Sequence, residues 1–94
     1  MTERILITGS NRGIGLAIVQ EYLSRGNVHA FAACRNPDSA VELQKLAKQH
    51  QDNLTLIPLE VTDQQSIAAA FNMIAAKVDA LDVVINNAAI NPSG

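Results

Sequence analysis

Three closely spaced glycines near the start of the chain are the feature with the clearest chemical use. Gly9, Gly13 and Gly15 lie within residues 8–15, between an apolar run and a helical pattern. Gly9 can make a tight turn, Gly13 can let phosphates approach the backbone, and Gly15 can let a helix pack closely on a strand. The N–H groups and dipole of the helix that begins there would face the anion. The loop is therefore a candidate pyrophosphate site.

The spacing of these glycines is Gly-x-x-x-Gly-x-Gly, which differs from the common dinucleotide-binding pattern Gly-x-Gly-x-x-Gly. Three glycines in one turn can also be purely structural, so the spacing alone leaves both interpretations open. The context favours binding, because a strand precedes the loop, a helix follows it, and both belong to a βαβ unit.

Two arginines lie where a dinucleotide would place its ribose. Arg35 follows the second strand and is 20 residues past Gly15, where NAD-binding proteins of this kind carry an acidic residue for the ribose 2′-hydroxyl. The next carboxylate along the chain is Asp38, and Arg12 lies inside the glycine loop. Each arginine could be an ordinary surface cation. Together at these positions they favour a 2′-phosphate, which a guanidinium can bind bidentately.

The composition is that of one small folded domain. The 94 residues are 48% hydrophobic and 17% charged, with a net charge of −2. Because there is no broad basic field, nucleic acid is not an expected partner. Cys34 is the single cysteine, and His29 and His50 have no second ligand at metal spacing, so neither a disulfide nor a metal site is predicted. The apolar run at residues 5–7 is too short for a signal peptide or a membrane span, so we expect a cytoplasmic protein with no membrane association.

The elements that must position these residues alternate between strand and helix patterns. β-rich apolar runs predict strands over residues 4–8, 28–34, 54–59 and 81–85. The first helix is predicted over residues 14–25, ending at a glycine. Its buried stripe is predicted to consist of Ile14, Ala17, Ile18 and Tyr22.

The second and third helices have recognisable starts. The second is predicted to begin with Asn36 as its cap and Pro37 at its first position, and to end near residues 48–50. The third is predicted to begin at a capping box formed by Thr62 and Gln65. Its buried stripe is predicted to consist of Ile67, Phe71, Ile74 and Val78.

The predicted order is β-α-β-α-β-α-β, which indicates an α/β fold with a Rossmann-like doubly wound parallel sheet. Right-handed crossovers give the spatial strand order 3-2-1-4. Ligands of such sheets bind beyond the carboxyl ends of the strands, at the switch point between the first and fourth. We therefore expect the glycine loop and the segments that follow the other strands to meet at one edge of the sheet.

Three motifs in this order resemble the short-chain dehydrogenase/reductase family. Residues 8–15, Thr-Gly-x-x-x-Gly-Ile-Gly, are similar to its cofactor signature. Glu60-Val61-Thr62-Asp63 is similar to the Asp-Val-Thr-Asp segment after its third strand, and Asn86-Asn87-Ala88-Ala89 to the Asn-Asn-Ala-Gly segment after its fourth. The resemblance covers residues 1–94 as the N-terminal part of a single domain, and it is nearest to NADP-dependent, carbonyl-reductase-like members.

The resemblance implies NADP(H) as the cofactor, with the pair of basic positions on its 2′-phosphate. Glu60 stands where the family usually has an Asp that contacts the adenine amino group, and Ala89 where it usually has a Gly beside the nicotinamide ribose. The cofactor-binding residues implied in this way are Gly9, Asn11, Arg12, Gly13, Ile14, Gly15, Arg35, Glu60, Val61, Asn87, Ala88 and Ala89.

The resemblance also implies hydride transfer between the nicotinamide and a carbonyl or alcohol carbon. The family uses a Ser and a Tyr-x-x-x-Lys downstream of its fourth strand, and the single tyrosine here, Tyr22, has Gly26 four positions on. No catalytic residue is therefore assigned. Because a protein acid must still protonate the developing alkoxide, we expect residues 1–94 to be inactive alone.

Two hypotheses follow for the function of the chain. In the first, it is the NADP(H)-binding part of a short-chain oxidoreductase with a small carbonyl or alcohol substrate. In the second, it is a non-enzymatic dinucleotide-binding or interaction module. The apolar fourth strand would be an open sheet edge, so we expect low stability, or association that hides the edge, unless more polypeptide covers it. A homo-oligomer is the predicted state.

Overall fold

The computed structural model describes residues 2–87, which form a four-stranded parallel sheet with helices on both faces. The strands lie in the spatial order β3-β2-β1-β4, which confirms the predicted order and fold class. The strands are β1 (Glu3–Ile7), β2 (Val28–Cys34), β3 (Leu54–Pro58) and β4 (Val83–Ile85). The helices are α1 (Gly13–Arg25), α2 (Val41–Gln49) and α3 (Gln64–Ala75).

Each face of the sheet has its own hydrophobic cluster. On one face, Val19 and Leu23 of α1 and Leu43 of α2 pack on alternate strand residues such as Ile5 and Ile7. The opposite face packs against Ala70 and Ile74 of α3. The residues of the sheet side in this cluster are Leu6, Phe31, Ala33, Ile57 and Leu59. Because both faces of the central strands are covered, β2 and the second half of β1 are almost continuously apolar, as a buried parallel sheet requires. Val84 of β4 is 56% exposed.

The buried side of α1 agrees with the predicted stripe at two of its four positions. Ile18 and Tyr22 are partly buried against the core, whereas Ile14 is 73% exposed and Ala17 is exposed, so the predicted burial of these two was wrong. The fully buried residues of the helix are Gly15, Val19 and Leu23. The helix is rotated so that Gly15 faces the sheet, because only a residue without a side chain fits there.

The predicted second helix is split in two. Pro37–Ser39 form a 3₁₀ turn, Asn36 makes no side-chain cap hydrogen bond to it, and α2 begins only at Val41. The side-chain amide of Gln44 donates to the Pro37 carbonyl over 2.7 Å and joins the turn to α2. The prediction of one continuous helix from Asn36 was wrong, because a tight turn here satisfies the same cap and proline signals.

The start of α3 is capped one residue later than predicted. Asp63 Oδ1 accepts hydrogen bonds from the N–H groups of Gln65 at 2.9 Å and Ser66 at 3.5 Å. The Thr62 hydroxyl donates instead to Glu60, so the predicted Thr62–Gln65 capping box was wrong. An aspartate at this position also suits the positive end of the helix dipole.

Three of the four residues predicted for the stripe of the third helix lie against the core. Ile74 is buried and Ile67 is partly buried on α3, and Val78 is partly buried against the same cluster just beyond the end of the helix. Phe71 is 49% exposed, so its predicted place in the core was wrong. No helix among residues 2–87 is long and apolar enough to cross a membrane.

The fourth strand is shorter than predicted because a polar clamp precedes it. Asp82 Oδ2 accepts from the backbone N–H of Arg4 at 2.7 Å and from its Nε at 3.1 Å. The backbone N–H of Asp82 donates in return to the Arg4 carbonyl. The hydrogen bonds from Arg4 lower the pKa of the Asp82 carboxyl. This clamp aligns the start of β4 with β1, and regular pairing begins at Val83.

His29 lies half-buried near the start of β2, far from the carboxyl ends of the strands. Its Nε2 is 2.9 Å from Thr55 Oγ1, and its ring centroid is 4.8 Å from that of Phe31. Burial lowers the pKa of His29, and the positive charge of Lys77 lowers it further, while a backbone hydrogen bond at Asp52 opposes the shift. The folded protein therefore favours the neutral imidazole.

This pKa shift predicts a pH dependence of stability. Between the lowered pKa of folded His29 and the unfolded value of about 6.5, the unfolded chain binds more protons, so the free energy of unfolding falls as pH falls. The contribution is complete above about pH 6.5. Denaturant unfolding near pH 7.5 and near pH 5.5 measures the loss. His29→Gln removes the titration, and an equally large loss in that variant would contradict the assignment.

Candidate functional site

The glycine loop joins the carboxyl end of β1 to the amino end of α1. Gly9 and Gly13 have φ values of 61° and 60°, which favour glycine because other residues strain there. Arg12 precedes α1 in an extended conformation without a side-chain cap hydrogen bond, and the first turn of α1 has no acidic residue. The first N–H groups of a helix have no partner within the helix. This end of α1 can therefore bind an anion through its backbone.

Ser10 anchors the loop to the sheet. It is completely buried, and its hydroxyl lies 2.5 Å from the Ile7 carbonyl oxygen and 3.1 Å from that of Ala33. Its backbone N–H also donates to the Ala33 carbonyl. The loop is thus fixed to the ends of both β1 and β2. The sequence does not reveal this role of Ser10, because burial of a small polar residue leaves no periodic pattern.

Gly15 is the point where α1 comes closest to the loop and to the end of β4. A Cβ at Gly15 would overlap the Gly9 carbonyl oxygen and lie 2.7 Å from Asn87 Nδ2. The Asn87 side-chain amide donates to the same Gly9 oxygen over 3.3 Å, and the Asn87 backbone N–H donates to Thr8 Oγ1 over 2.9 Å. Asn87 therefore fixes the end of β4 to the glycine loop.

The Thr8 hydroxyl extends this connection between the first and fourth strands. It donates to Asn86 Oδ1 over 3.0 Å, and the Thr8 backbone N–H donates to the Ile85 carbonyl. The segments after β1 and β4 are therefore hydrogen-bonded to each other at the switch point of the sheet. This is the place where sheets of this kind bind their ligands.

The two candidate arginines lie on one open polar depression of about 270 Å³ beside the loop. Its lining residues are Asn11, Arg12, Arg35, Asn36, Ser39 and Ala40. The folded chain thus brings together two cations that are 23 positions apart in sequence (35 − 12). No carboxylate is among these lining residues, and the exposed Asp38 is not one of them. The depression is suited to an anion.

Glu60 lies next to Arg35 because the two residues follow neighbouring strands. The Leu59 N–H donates to the Cys34 carbonyl over 2.8 Å, which places residues 35 and 60 side by side. Glu60 Oε2 is 3.7 Å from Arg35 Nε, and Glu60 Oε1 accepts from the Thr62 hydroxyl over 2.8 Å. The sequence identified both residues as candidates but could not show that they pair.

The remaining sequence candidates have varied positions. Ile14 is mostly exposed at the start of α1, and Val61 is partly buried in the cluster under α3. Ala88 and Ala89 lie outside the described residues. Cys34 is buried at the end of β2, and burial raises the pKa of its thiol, which agrees with its interpretation as a core residue. Residues 2–87 contain no group of three side chains suited to a metal ion.

The close packing at Gly15 gives a test by substitution. Gly15→Ala forces α1 away from Gly9 and should cost about 3 kcal/mol or more of unfolding free energy, at the upper end of the range for overpacked sites. Gly13→Ala is the matched control, because its Cβ would meet nothing within 4 Å and only its positive φ opposes the change. That strain costs about 1–2 kcal/mol. Equal losses in the two variants, measured by urea unfolding, would contradict the packing argument.

The chain has clear relatives among known sequences. The family model described as short chain dehydrogenase matches residues 3–94. An uncharacterised oxidoreductase of Schizosaccharomyces pombe is 44% identical over 84 residues, which cover 89% of this chain and 33% of the relative. A short chain dehydrogenase of Penicillium aethiopicum is 39% identical over 92 residues, which cover 97% of this chain and 37% of the relative.

Solved structures show the same likeness. The NADPH-bound carbonyl reductase from chicken fatty liver matches with a TM-score of 0.88 and 46% identity, over 95% of this chain and 35% of that one. A carbonyl reductase from Pseudomonas aeruginosa PAO1 in complex with NADP matches with a TM-score of 0.83 and 29% identity, over 95% and 39%. This chain spans little more than a third of the length of these proteins. From its fold, its glycine loop and these matches, the chain belongs to the short-chain dehydrogenase family of oxidoreductases.

Proposed function

We propose that this chain is the NADP(H)-binding portion of a short-chain oxidoreductase that transfers hydride between NADP(H) and a carbonyl or alcohol substrate. The observation that supports this most directly is the convergence of Arg12 and Arg35 on one polar depression beside the glycine loop. That arrangement offers two cations at the place where the ribose of a dinucleotide would lie.

The pyrophosphate is assigned to the amino end of α1. Gly9 and Gly13 hold the loop in a conformation that favours glycine, so backbone rather than side chains faces the ligand. Gly15 allows α1 to start directly beside the end of β1. The unpaired N–H groups and the helix dipole then stabilise the negative charge without a dedicated side chain.

The 2′-phosphate is assigned to Arg35, with Arg12 as a second cation. The Arg35 side chain is 76% exposed, so its guanidinium is accessible. A ribose without the phosphate would need a carboxylate acceptor, and the lining of the depression contains none. The carbonyl reductases from chicken and Pseudomonas, which were solved with NADPH and NADP, support the same choice of cofactor.

The other ends of the cofactor are assigned by family resemblance and position. Glu60 and Val61 follow β3 and are proposed to flank the adenine, whereas Asn87 follows β4 and is proposed to lie at the nicotinamide edge. Ala88 and Ala89 stay predictions from the sequence. When bound, NADPH supplies the hydride. The residues described here bind the cofactor and orient it.

The proton donor is proposed to be the tyrosine of the family's Tyr-x-x-x-Lys set, which residues 1–94 do not contain. Tyr22 does not replace it, because it lies nine positions beyond Gly13 along α1, or roughly 13 Å from the proposed pyrophosphate site at 1.5 Å per residue. Its ring instead packs against the Arg25 guanidinium at 4.9 Å. From the sequence we also propose a cytoplasmic location and a homo-oligomer for the whole protein.

The assignment of the 2′-phosphate is tested by Arg35→Asp. This substitution removes a charge-assisted phosphate contact worth about 1.5–3 kcal/mol and introduces repulsion, so NADPH affinity should fall at least about tenfold. NADH lacks the phosphate, so its affinity should change by less than about threefold. Fluorescence titration of both cofactors measures the difference.

Arg25→Asp is the control for charge alone. Arg25 is an exposed arginine at the other end of α1, outside the depression, and its substitution makes the same change in net charge. We expect it to leave the ratio of the two affinities unchanged. Equal losses of NADPH and NADH binding in Arg35→Asp would contradict the assignment of the 2′-phosphate.

A further inference from the structure

The ion pair between Arg35 and Glu60 involves only part of the guanidinium. The closest approach is that of Glu60 Oε2 to Nε at 3.7 Å, and no hydrogen bond within residues 2–87 uses the terminal Nη groups of Arg35. A guanidinium has five N–H donors in a planar fork. The end of the fork therefore stays available to a second anion while Nε faces Glu60.

Glu60 is itself fixed by its surroundings. Its Oε1 accepts from the Thr62 hydroxyl over 2.8 Å, and its backbone N–H donates to Ser66 Oγ over 2.8 Å. Its carbonyl accepts from the Asp63 N–H, which belongs to the cap of α3. Glu60 is thus held to the start of α3 through both its side chain and its backbone. Arg35 is far more exposed, at 76% against 36% for Glu60.

From this asymmetry we propose that Glu60 is a positioning residue for Arg35 and thereby sets the preference for a 2′-phosphorylated adenosine. The inference rests on the proposed function. A long exposed arginine loses side-chain entropy when it binds phosphate. A fixed carboxylate on Nε restricts the guanidinium beforehand, so less of that entropy is lost on binding. Exposed ion pairs are weak, so we expect the effect of this pair on binding to be modest.

The negative charge of Glu60 does not cancel this effect. A phosphate on the two Nη groups lies across the guanidinium from the carboxylate that faces Nε. Both anions face solvent, where the high dielectric constant weakens their repulsion. Glutamate also has the reach that aspartate lacks, since removal of one methylene withdraws the carboxylate by about 1.5 Å from a partner that is already 3.7 Å away.

The experiment compares two ligands that differ only in the 2′-phosphate, adenosine 2′,5′-bisphosphate and adenosine 5′-monophosphate. Their dissociation constants are measured by calorimetric titration for the unmodified chain, Glu60→Gln, Glu60→Asp, Arg35→Ala and the double variant Glu60→Gln/Arg35→Ala. We expect Glu60→Gln and Glu60→Asp each to weaken the bisphosphate about three- to tenfold more than the monophosphate, whose own loss measures the adenine contact of Glu60. In the Arg35→Ala background, Glu60→Gln should weaken the two ligands equally, because a double-mutant cycle isolates the coupling of the two residues.

Other outcomes overturn the inference in distinguishable ways. Equal weakening of both ligands by the Glu60 variants would mean that Glu60 acts only on the adenine or on the structure, and not through Arg35. Tighter binding of the bisphosphate in Glu60→Gln would mean that the carboxylate opposes the phosphate. Additive losses in the double variant would show that Glu60 does not act through Arg35. If the unmodified chain does not prefer the bisphosphate, the proposed function itself fails, whatever the variants do.

Discussion

The arrangement of the site depends on one steric constraint, which is the absence of space beside Gly15. Any Cβ there would overlap the Gly9 carbonyl oxygen, so α1 can lie where it does only because this residue has no side chain. The same Gly9 oxygen accepts the side-chain amide of Asn87, which brings the end of β4 to the same point. A single close contact thus joins the glycine loop, the first helix and the fourth strand.

The electrostatics of the site follow from that packing. With α1 starting directly at the end of β1, its amino end, Arg12 and Arg35 all lie at the same edge of the sheet. Glu60, which pairs with Arg35, does not line the depression that the two arginines share. Arg4 and Asp82, which are hydrogen-bonded to each other, lie at the opposite ends of the strands. They stabilise the pairing of β1 with β4 instead.

The sequence predicted the strand order and the positions of the glycine loop and Arg35, because strand runs, glycine spacing and crossover handedness depend on local chemistry. It wrongly placed Ile14 and Ala17 of α1 in the core, since apolar residues surround that helix and the contact at Gly15 selects its buried side. The pairing of Arg35 with Glu60 depends on how separate segments meet in space, which no spacing rule encodes. The Asp63 cap is local, but the neighbouring Thr62 offers an equally good capping signal, and its hydroxyl is used by Glu60 instead.

The proposed function requires the backbone at the start of α1 to hold the pyrophosphate of NADP(H). The most direct measurement is a titration of the isotopically labelled chain with NADPH, followed by NMR of the backbone amides. We expect the largest shifts at Gly13, Ile14, Gly15 and Arg35. Largest shifts around Arg4, His29 and Lys77, at the other end of the sheet, with the glycine loop unchanged, would contradict it.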